Sequence, residues 1–279
     1  MRTLAHLSDL HFGRVDDALL QPLVDAVHAA RPDVVVVSGD LTQRARSAEF
    51  EAAAAFLARL PGPQVVVPGN HDVPLYNVAA RLLTPLDKFH RYIESDPLPR
   101  HVDDEVAVVG LNSARSLVVK NGRVNREQLA AVQALLAPLP DTVFKVVVTH
   151  HPFEAEDGVD SRELIGRARL AMAAFAAAGV DLLLAGHRHV SVATDTGERY
   201  RDDGRDGYAA LVVSAGTATS TRERGESNAF NVVRIDGARV AVERHAWMPE
   251  SGRFERAGVE VFERAGGGWT RVAGEPAAA

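Results

Sequence analysis

Short apolar runs alternate with longer segments of helical periodicity over roughly the first two-thirds of the chain. Strands are predicted at residues 4–7, 34–37 and 65–67, and helices at about 16–30, 46–60 and 78–93. The strand starts lie 30 and 31 positions apart, which is the size of a βαβ unit. The valine runs do not alternate with polar residues, as is typical of parallel strands covered on both faces.

The pattern changes towards the end of the chain. A hairpin near 102–106 leads into a strand at 106–111, a turn follows at Asn121-Gly122, and further elements are predicted at 125–137 (helix), 144–149 (strand), 162–178 (helix) and 181–185 (strand). After residue 190, short alternating segments separated by glycine and aspartate predict antiparallel strands. No linker interrupts the pattern. We therefore expect one α/β domain with mixed sheets over residues 1–264, followed by a flexible tail at 265–279.

Composition narrows the function classes. The 279 residues include no cysteine, which excludes disulfides and thiolate metal sites. No apolar run reaches the length of a membrane span, and the N-terminus enters a polar motif without a hydrophobic leader, so we expect a cytoplasmic protein with no membrane partner. The net charge of −6 argues against broad nucleic-acid binding but is compatible with a small anionic substrate.

Polar motifs follow five of the predicted strands. They are Asp9-Leu10-His11, Gly39-Asp40, Gly69-Asn70-His71-Asp72, His150-His151 and Gly186-His187-Arg188-His189. In an open parallel sheet, ligands bind outside the carboxyl ends of the strands, so these groups are expected to converge on one rim. Carboxylates and imidazoles without sulfur suit Mn, Fe, Zn or Co. Two such ions need a shared ligand, and Asp40 is the candidate for that bridge because it is central in the strand series.

The ligands divide into two predicted sets that share Asp40. One set is Asp9, His11, Asp40 and His189, and the other is Asp40, Asn70, His150 and His187. Either histidine of the His150-His151 pair could fill its place, because strand alternation points only one of them at the rim.

The remaining candidates have roles beside the ions. His71 is expected to face the substrate phosphate as a hydrogen-bond donor or general acid. Asp72 is expected to orient the ring of a nearby histidine. His151, Arg188 and Asn112 are the candidates for substrate contact, and Gly39 and Gly69 are expected to permit positive φ or close backbone approach.

The ordered motifs resemble those of the calcineurin-type metallophosphoesterases: D-x-H, G-D, G-N-H-[D/E], a histidine after a strand, and G-H-x-H. Ser8-Asp9-Leu10-His11, Gly39-Asp40-Leu41-Thr42 and His150-His151-Pro152 are most similar to the bacterial class III cyclic-nucleotide and glycerophosphodiester phosphodiesterases. The resemblance spans residues 9–189 and implies a four-layer αββα sandwich with a bimetal centre. It also favours His150 over His151 as the ligand.

The function expected from these residues is hydrolysis of a small phosphodiester by a metal-bound hydroxide, with His71 protonating the leaving group. A phosphomonoesterase or a nuclease on the same core is the alternative enzyme. A non-catalytic scaffold of this fold is the alternative from another class. The late antiparallel strands also leave a homodimer open.

Overall fold

The computed structural model describes residues 1–116, 121–154, 164–189, 191–197, 208–221 and 227–272. These residues form two mixed sheets that pack face to face, with helices on both outer sides. Among them, no helix is both long and apolar enough to cross a bilayer.

The first sheet joins the two ends of the chain. Its parallel part contains β1 (Arg2–Leu7), β2 (Val34–Val37) and β3 (Gln64–Val66), linked by α1 (Asp17–Ala30) and α2 (Ser47–Leu57). Four late antiparallel strands continue from β1: β10 (Ala229–Asp236), β11 (Arg239–Met248), β12 (Arg253–Ala265) and β13 (Gly268–Val272). The strand order is β13-β12-β11-β10-β1-β2-β3.

The second sheet is built from the middle of the chain. Its strands are β4 (Arg100–Val102), β5 (Val106–Gly110), β6 (Phe144–Val148), β7 (Leu182–His189), β8 (Val192–Asp195) and β9 (Leu211–Gly216). Their order is β4-β5-β6-β7-β9-β8, with β5, β6, β7 and β9 parallel. The connecting helices are α5 (Arg126–Leu136) and α6 (Ala168–Ala178). Asn125 caps α5, because its side chain accepts from the Gln128 amide at 2.8 Å.

Three apolar layers hold the elements together. Valines and leucines on the inner faces of both sheets, such as Val36, Val108 and Val146, form the central layer. Leu23, Phe50 and Phe89 belong to the layer between the first sheet and its helices, and a similar layer lies under α5 and α6. The predicted four-layer αββα sandwich is therefore confirmed, and the fully buried Val34–Val37 run explains why β2 lacks a polar face.

Three element predictions need correction. The strands after residue 190 are all predicted to be antiparallel, but β9 pairs parallel with β7 and antiparallel only with β8. The helix predicted at 78–93 is two short helices, α3 (Val78–Leu83) and α4 (Asp87–Tyr92). Thr84 leaves the helical region (φ −141°, ψ 56°) because it precedes Pro85, whose ring disfavours helical backbone before it.

The flexible tail predicted from residue 265 begins too early. Gly266 and Gly267 have φ of +58° and +86°, as a two-residue type I′ hairpin turn requires, and they join β12 to β13. Trp269 on β13 is buried against Phe144 of the other sheet. Residues 273–279 lie outside the described residues. The helix predicted at 162–178 falls partly outside them as well, because the structure describes this segment from residue 164. Within it, α6 begins at Ala168.

Candidate metal centre

The polar motifs meet at one rim of the sandwich, at the carboxyl ends of the parallel strands. The loops after β1, β2 and β3 bring Asp9, Asp40 and Asn70 from the first sheet. His150 follows β6, and His187 lies near the end of β7, so both come from the second sheet. The site therefore lies across the gap between the two sheets, where strand topology predicted it.

One cluster forms around a carboxylate oxygen of Asp9. Its Oδ1 lies 3.3 Å from His189 Nε2 and 3.5 Å from His11 Nε2, and all three side chains are buried. Asp9 Oδ1 and His11 Nε2 make no hydrogen bond of ordinary geometry with the described residues. Buried polar atoms are normally satisfied, so these converging donor atoms fit a cation that they would coordinate.

A second cluster forms around Asn70 and Asp40. Asn70 Oδ1 lies 3.1 Å from both His150 Nε2 and His187 Nδ1, and those two nitrogens are 3.3 Å apart. Asp40 reaches both clusters with different oxygens. Its Oδ1 is 3.4 Å from His150 Nε2, whereas its Oδ2 is 3.8 Å from His11 Nε2. A carboxylate in this position could touch two ions at once.

Main-chain and hydroxyl groups orient the ligand atoms. The Ser38 carbonyl lies 2.8 Å from His150 Nδ1 and can only accept, so Nδ1 carries the proton and Nε2 faces the cluster. Ser8 Oγ donates to Asp9 Oδ2 at 2.6 Å, which turns the other oxygen towards the histidines. Neither serine could be identified as an orienting group from the sequence. A carbonyl has no signature in the sequence, and Ser8 was noted only as part of a family motif.

Five of the candidate ligands have left-handed backbone. Asp9, His11, Asp40, His187 and His189 have φ between 52° and 72°. Non-glycine residues adopt this region at a cost on the order of 1–3 kcal/mol each, and it is least unfavourable for Asn, Asp and His. The fold therefore stores backbone strain at the positions that turn these side chains into the site.

Glycines make room beside the strained ligands. Gly39 has a φ of +95°, as predicted, but Gly69 is extended and serves close approach alone. A methyl group on Gly69 would overlap the carboxylate and amide of Asp40. The G-H-x-H glycine has the same function, because a methyl group on Gly186 would overlap Ser8 Oγ.

Electrostatics of the site favour positive charge. Burial alone would raise the pKa of Asp40, but His150, His11 and His71 hold that pKa well below its usual range. Burial opposes protonation of His150, yet the charge of Asp40 and their hydrogen bond raise the pKa of His150 to about 9. Burial and the repulsion of His150 lower the pKa of His187 to about 4. The carboxylates are thus ionised and attract cations at neutral pH.

His71 lies beside the two clusters at the mouth of the site. Its Nδ1 is 3.0 Å from the Gln43 carbonyl, which must accept the Nδ1 proton, so Nε2 is the atom that faces Asp40, 4.0 Å from Oδ2. The backbone amide of His71 also donates to Asp40 Oδ1 at 2.8 Å. The imidazole is therefore held with one nitrogen aimed into the site and one fifth of the side chain exposed.

Asp72 does not orient a histidine ring, and that prediction is wrong. Its carboxylate accepts from the backbone amides of Leu41, Thr42 and Gly69 and from Thr42 Oγ1, at 2.9–3.2 Å. Burial and the charge of Asp40 raise the pKa of Asp72 to about 6, although these hydrogen bonds oppose the shift. Asp72 thus fastens the loop after β2 to the loop after β3.

The three residues predicted to contact substrate lie in different surroundings. His151 is fully buried, with Nδ1 2.8 Å from Ser113 Oγ and its ring against His187. Asn112 Oδ1 accepts from the Ala114 amide at 2.8 Å, and its role in substrate contact stays a prediction. Arg188 lies half-buried between His187 and His189 on β7.

Thr217 and Thr219 are further residues at the site. Their hydroxyls donate to the backbone carbonyls of Asp9 and Leu10, at 2.8 and 2.7 Å, and thereby fix the loop after β1. These two contacts could not be predicted, because nothing in the sequence relates Thr217 and Thr219 to residues 9 and 10. Residues 222–226 lie outside the described residues.

Comparison with known proteins identifies the family. The profile described as "Calcineurin-like phosphoesterase" matches residues 2–191, about two-thirds of the chain.

Curated relatives are distant in sequence. A probable glycerophosphodiester phosphodiesterase of Arcobacter nitrofigilis is 28% identical over 145 residues, half of each chain. A 3',5'-cyclic adenosine monophosphate phosphodiesterase of Escherichia coli is 26% identical over 204 residues, 69% of this chain and 71% of the relative. The chain thus spans about half the length of the Arcobacter protein.

Solved structures share the fold. A dimetal phosphatase from Danio rerio has a TM-score of 0.62 at 16% identity, covering 88% of this chain and 96% of its own. A purple acid phosphatase from yellow lupin has a TM-score of 0.63 at 11% identity, covering 94% and 54%. At these identities the likeness extends to the architecture alone.

Proposed function

Because the chain belongs to the calcineurin-like phosphoesterase family, we propose that it is a dinuclear metal-dependent phosphodiesterase. Its substrate would be a small diester of the cyclic-nucleotide or glycerophosphodiester type, the classes named for two relatives. The observation that carries the proposal is the position of Asp40, whose two oxygens face two separate sets of imidazoles. A site for one ion would not need this division.

Seven side chains would hold the two ions. Asp9, His11 and His189 would bind one, Asn70, His150 and His187 the other, and Asp40 would bridge them. When bound, the ions would lower the pKa of a water molecule, so that it would lose a proton near neutral pH and attack phosphorus as hydroxide. They would also neutralise charge on the phosphoryl oxygens. Donors limited to oxygen and nitrogen suit Mn, Fe, Zn or Co.

His71 would act on the leaving group. Its Nδ1 proton is engaged by the Gln43 carbonyl, so the protonated ring would present Nε2–H towards the site. From there it can donate to the oxygen of the departing alcohol. A positioned acid of this kind contributes about 10²–10⁴-fold to the rate.

Hydrolysis of bis(p-nitrophenyl) phosphate and p-nitrophenyl phosphate with added Mn²⁺ tests the proposal. We expect clear preference for the diester, and loss of both metal content and activity in Asp40→Asn. Asp25→Asn is the matched control, because Asp25 is an exposed helical residue that accepts from Gln21 on the same helix. Preference for the monoester would indicate a phosphomonoesterase. Inactivity on both esters with metals bound would indicate a scaffold.

A further inference from the structure

The segment that follows the candidate general acid exposes an apolar surface. Tyr76, Val78, Leu82 and Leu83 are 75%, 63%, 53% and 80% exposed, and we call these four side chains the α3 patch. Scattered exposed hydrophobics are common, but four within eight residues concentrate the exposed apolar area in one short segment. The patch begins four residues after Asp72, which ends the short helical turn Asn70–Asp72 that contains His71.

Helix α3 is inverted with respect to an ordinary surface helix. Its single charged residue, Arg81, is the buried one, at 9% exposure. Arg81 donates to the backbone carbonyls of Pro74 and Arg115, at 3.1 and 3.5 Å. An amphipathic helix normally buries its apolar side and exposes its charge. Here the charge anchors the helix to the loop that carries Asn112 and Ser113, and the leucines face solvent.

The patch is also connected to the general acid. The Arg44 guanidinium lies 5.6 Å from the centre of the Tyr76 ring, and the neighbouring Gln43 carbonyl holds His71 Nδ1. Arg81 is the only charged residue between Val73 and Leu86. The guanidinium of Arg44 and the imidazole of His71 thus lie on one side of the site mouth. The uncharged α3 patch continues from Tyr76, which contacts Arg44.

The extent of the patch argues for a small occupant. Its four side chains offer on the order of 500 Å², which is the size of a functional patch on a monomer. A stable dimer needs about 800 Å² from each partner, so this surface alone does not supply one. Its continuity with His71 indicates the substrate itself.

We propose that the α3 patch binds a hydrocarbon arm on the leaving alcohol of the diester, so that the substrates are amphiphilic phosphodiesters. This inference rests on the proposed function. In the step concerned, water adds to phosphorus and gives a proton to solvent. The bond from phosphorus to the alcohol oxygen breaks, and that oxygen takes a proton from His71. The arm lies on the leaving side because the patch extends from the residue that protonates that oxygen.

Hydrolysis of two glycerophosphodiesters, one of ethanol and one of octanol, tests the proposal below micelle-forming concentrations. Release of glycerol phosphate is followed by chromatography. We expect kcat/KM for the octanol diester to exceed that for the ethanol diester by at least about tenfold, since six more methylenes leave water. In Leu82→Asp/Leu83→Asp this ratio should fall close to one.

The control is Leu170→Asp on α6, because Leu170 is also an exposed helical leucine but lies on the other outer face. It should keep the full octanol preference. If the aspartates prevent folding, the uncharged variant Leu82→Asn/Leu83→Asn replaces them. Its melting temperature shows that it is folded, and its octanol preference should also be lost.

Each other outcome has a distinct meaning. Equal hydrolysis of the two diesters by the wild type would overturn this inference and leave the proposed function intact. If the wild type hydrolyses none of the three diesters, including the nitrophenyl diester, the proposed function is contradicted. An octanol preference that survives the α3 substitutions would overturn the assigned location. The α3 substitutions could instead dissociate a dimer or abolish binding to phosphatidylcholine vesicles while the octanol-to-ethanol ratio of kcat/KM stays unchanged. Either result would assign the patch to another partner and overturn the inference.

Discussion

At the scale of single residues, two candidate ligands and the candidate general acid each have a second group that orients them. Ser38 fixes His150, Ser8 fixes Asp9, and Gln43 fixes His71. The ligand types could be predicted from the sequence because their side chains identify metal chemistry. The orienting groups could not, because a backbone carbonyl is present at every residue and only the fold decides which one meets an imidazole.

Ser8→Ala should weaken metal binding without removing a ligand. The substitution removes one of the hydrogen bonds to Asp9 Oδ2, whereas the His187 amide still donates to that oxygen at 3.0 Å. Removal of such orienting groups typically costs 10–100-fold in metal affinity, so we expect an effect at the lower end of that range. Competition against a fluorescent chelator measures the effect. Ser251→Ala, at an exposed turn, is the control. Equal affinities for the two variants would show that Asp9 needs no support.

His71→Ala should keep the metals but lose turnover in a manner that depends on the leaving group. We expect a decrease of about 10²–10⁴-fold for alkyl diesters, whose alcohols need a proton to depart. The decrease should be smaller for nitrophenyl diesters, because nitrophenolate leaves without one. His101→Ala serves as the control, since His101 pairs with Asp103 away from the motifs. Equal losses on both ester types would contradict the acid role.

Metal binding should release a proton at neutral pH. The pKa of His150 is about 9 without metal, so the ring is protonated at pH 7 and must lose that proton to become a ligand. His187, with a pKa of about 4, is already neutral and releases none. Apparent affinity should therefore rise with pH up to about 9. Titration calorimetry of Mn²⁺ in buffers of different ionisation enthalpy counts the proton. Affinity independent of pH between 6 and 8 would contradict the assignment.

At the scale of elements, regular periodicity predicted most of the fold, and special backbone conformations caused the errors. The strands with continuous valine runs and α1 with its aspartate cap lie where the pattern indicated them. The long helix failed at Pro85, which restricts the residue before it. The tail prediction failed at Gly266-Gly267, which forms a hairpin turn rather than a flexible linker. In both cases a local backbone rule outweighed the hydrophobic pattern.

The glycines of the site loops give the sharpest test at this scale. Gly69→Ala would push a methyl group into Asp40, so the loops after β2 and β3 must separate. We expect loss of at least one ion and destabilisation of about 1–3 kcal/mol, as for overpacking of a buried position. Gly258→Ala is the control, because its methyl group would meet nothing within 4 Å. Melting temperature and metal content report the two effects. A Gly69→Ala protein with both ions and normal stability would contradict the close-packing argument.

At the scale of the whole molecule, the site connects the two sheets. Asp9, Asp40 and Asn70 follow strands of the first sheet, whereas His150, His187 and His189 belong to the second. Ions held by both sets would stabilise the packed sandwich over the unfolded chain, in which the ligands are far apart. Chelation should therefore lower the melting temperature. Each ion present at 100 times its Kd contributes about 2.7 kcal/mol.

Calorimetry with and without chelator measures this stabilisation. The Asp40→Asn protein provides the comparison, because its melting temperature should respond little to chelator. A wild-type melting temperature that does not change on chelation would show that the ions do not link the sheets.

The distribution of ligands along the chain also governs when a cation can be captured during synthesis. Asp9 is synthesised before His187 and His189, which lie about 180 positions further along the chain. The β10 strand that pairs with β1 is made later still. A nascent chain therefore presents isolated carboxylates and imidazoles, none of which encloses an ion by itself. We therefore expect the proposed two-ion site to form only after His187 and His189 have been synthesised, because both proposed ligand sets need a histidine from that segment.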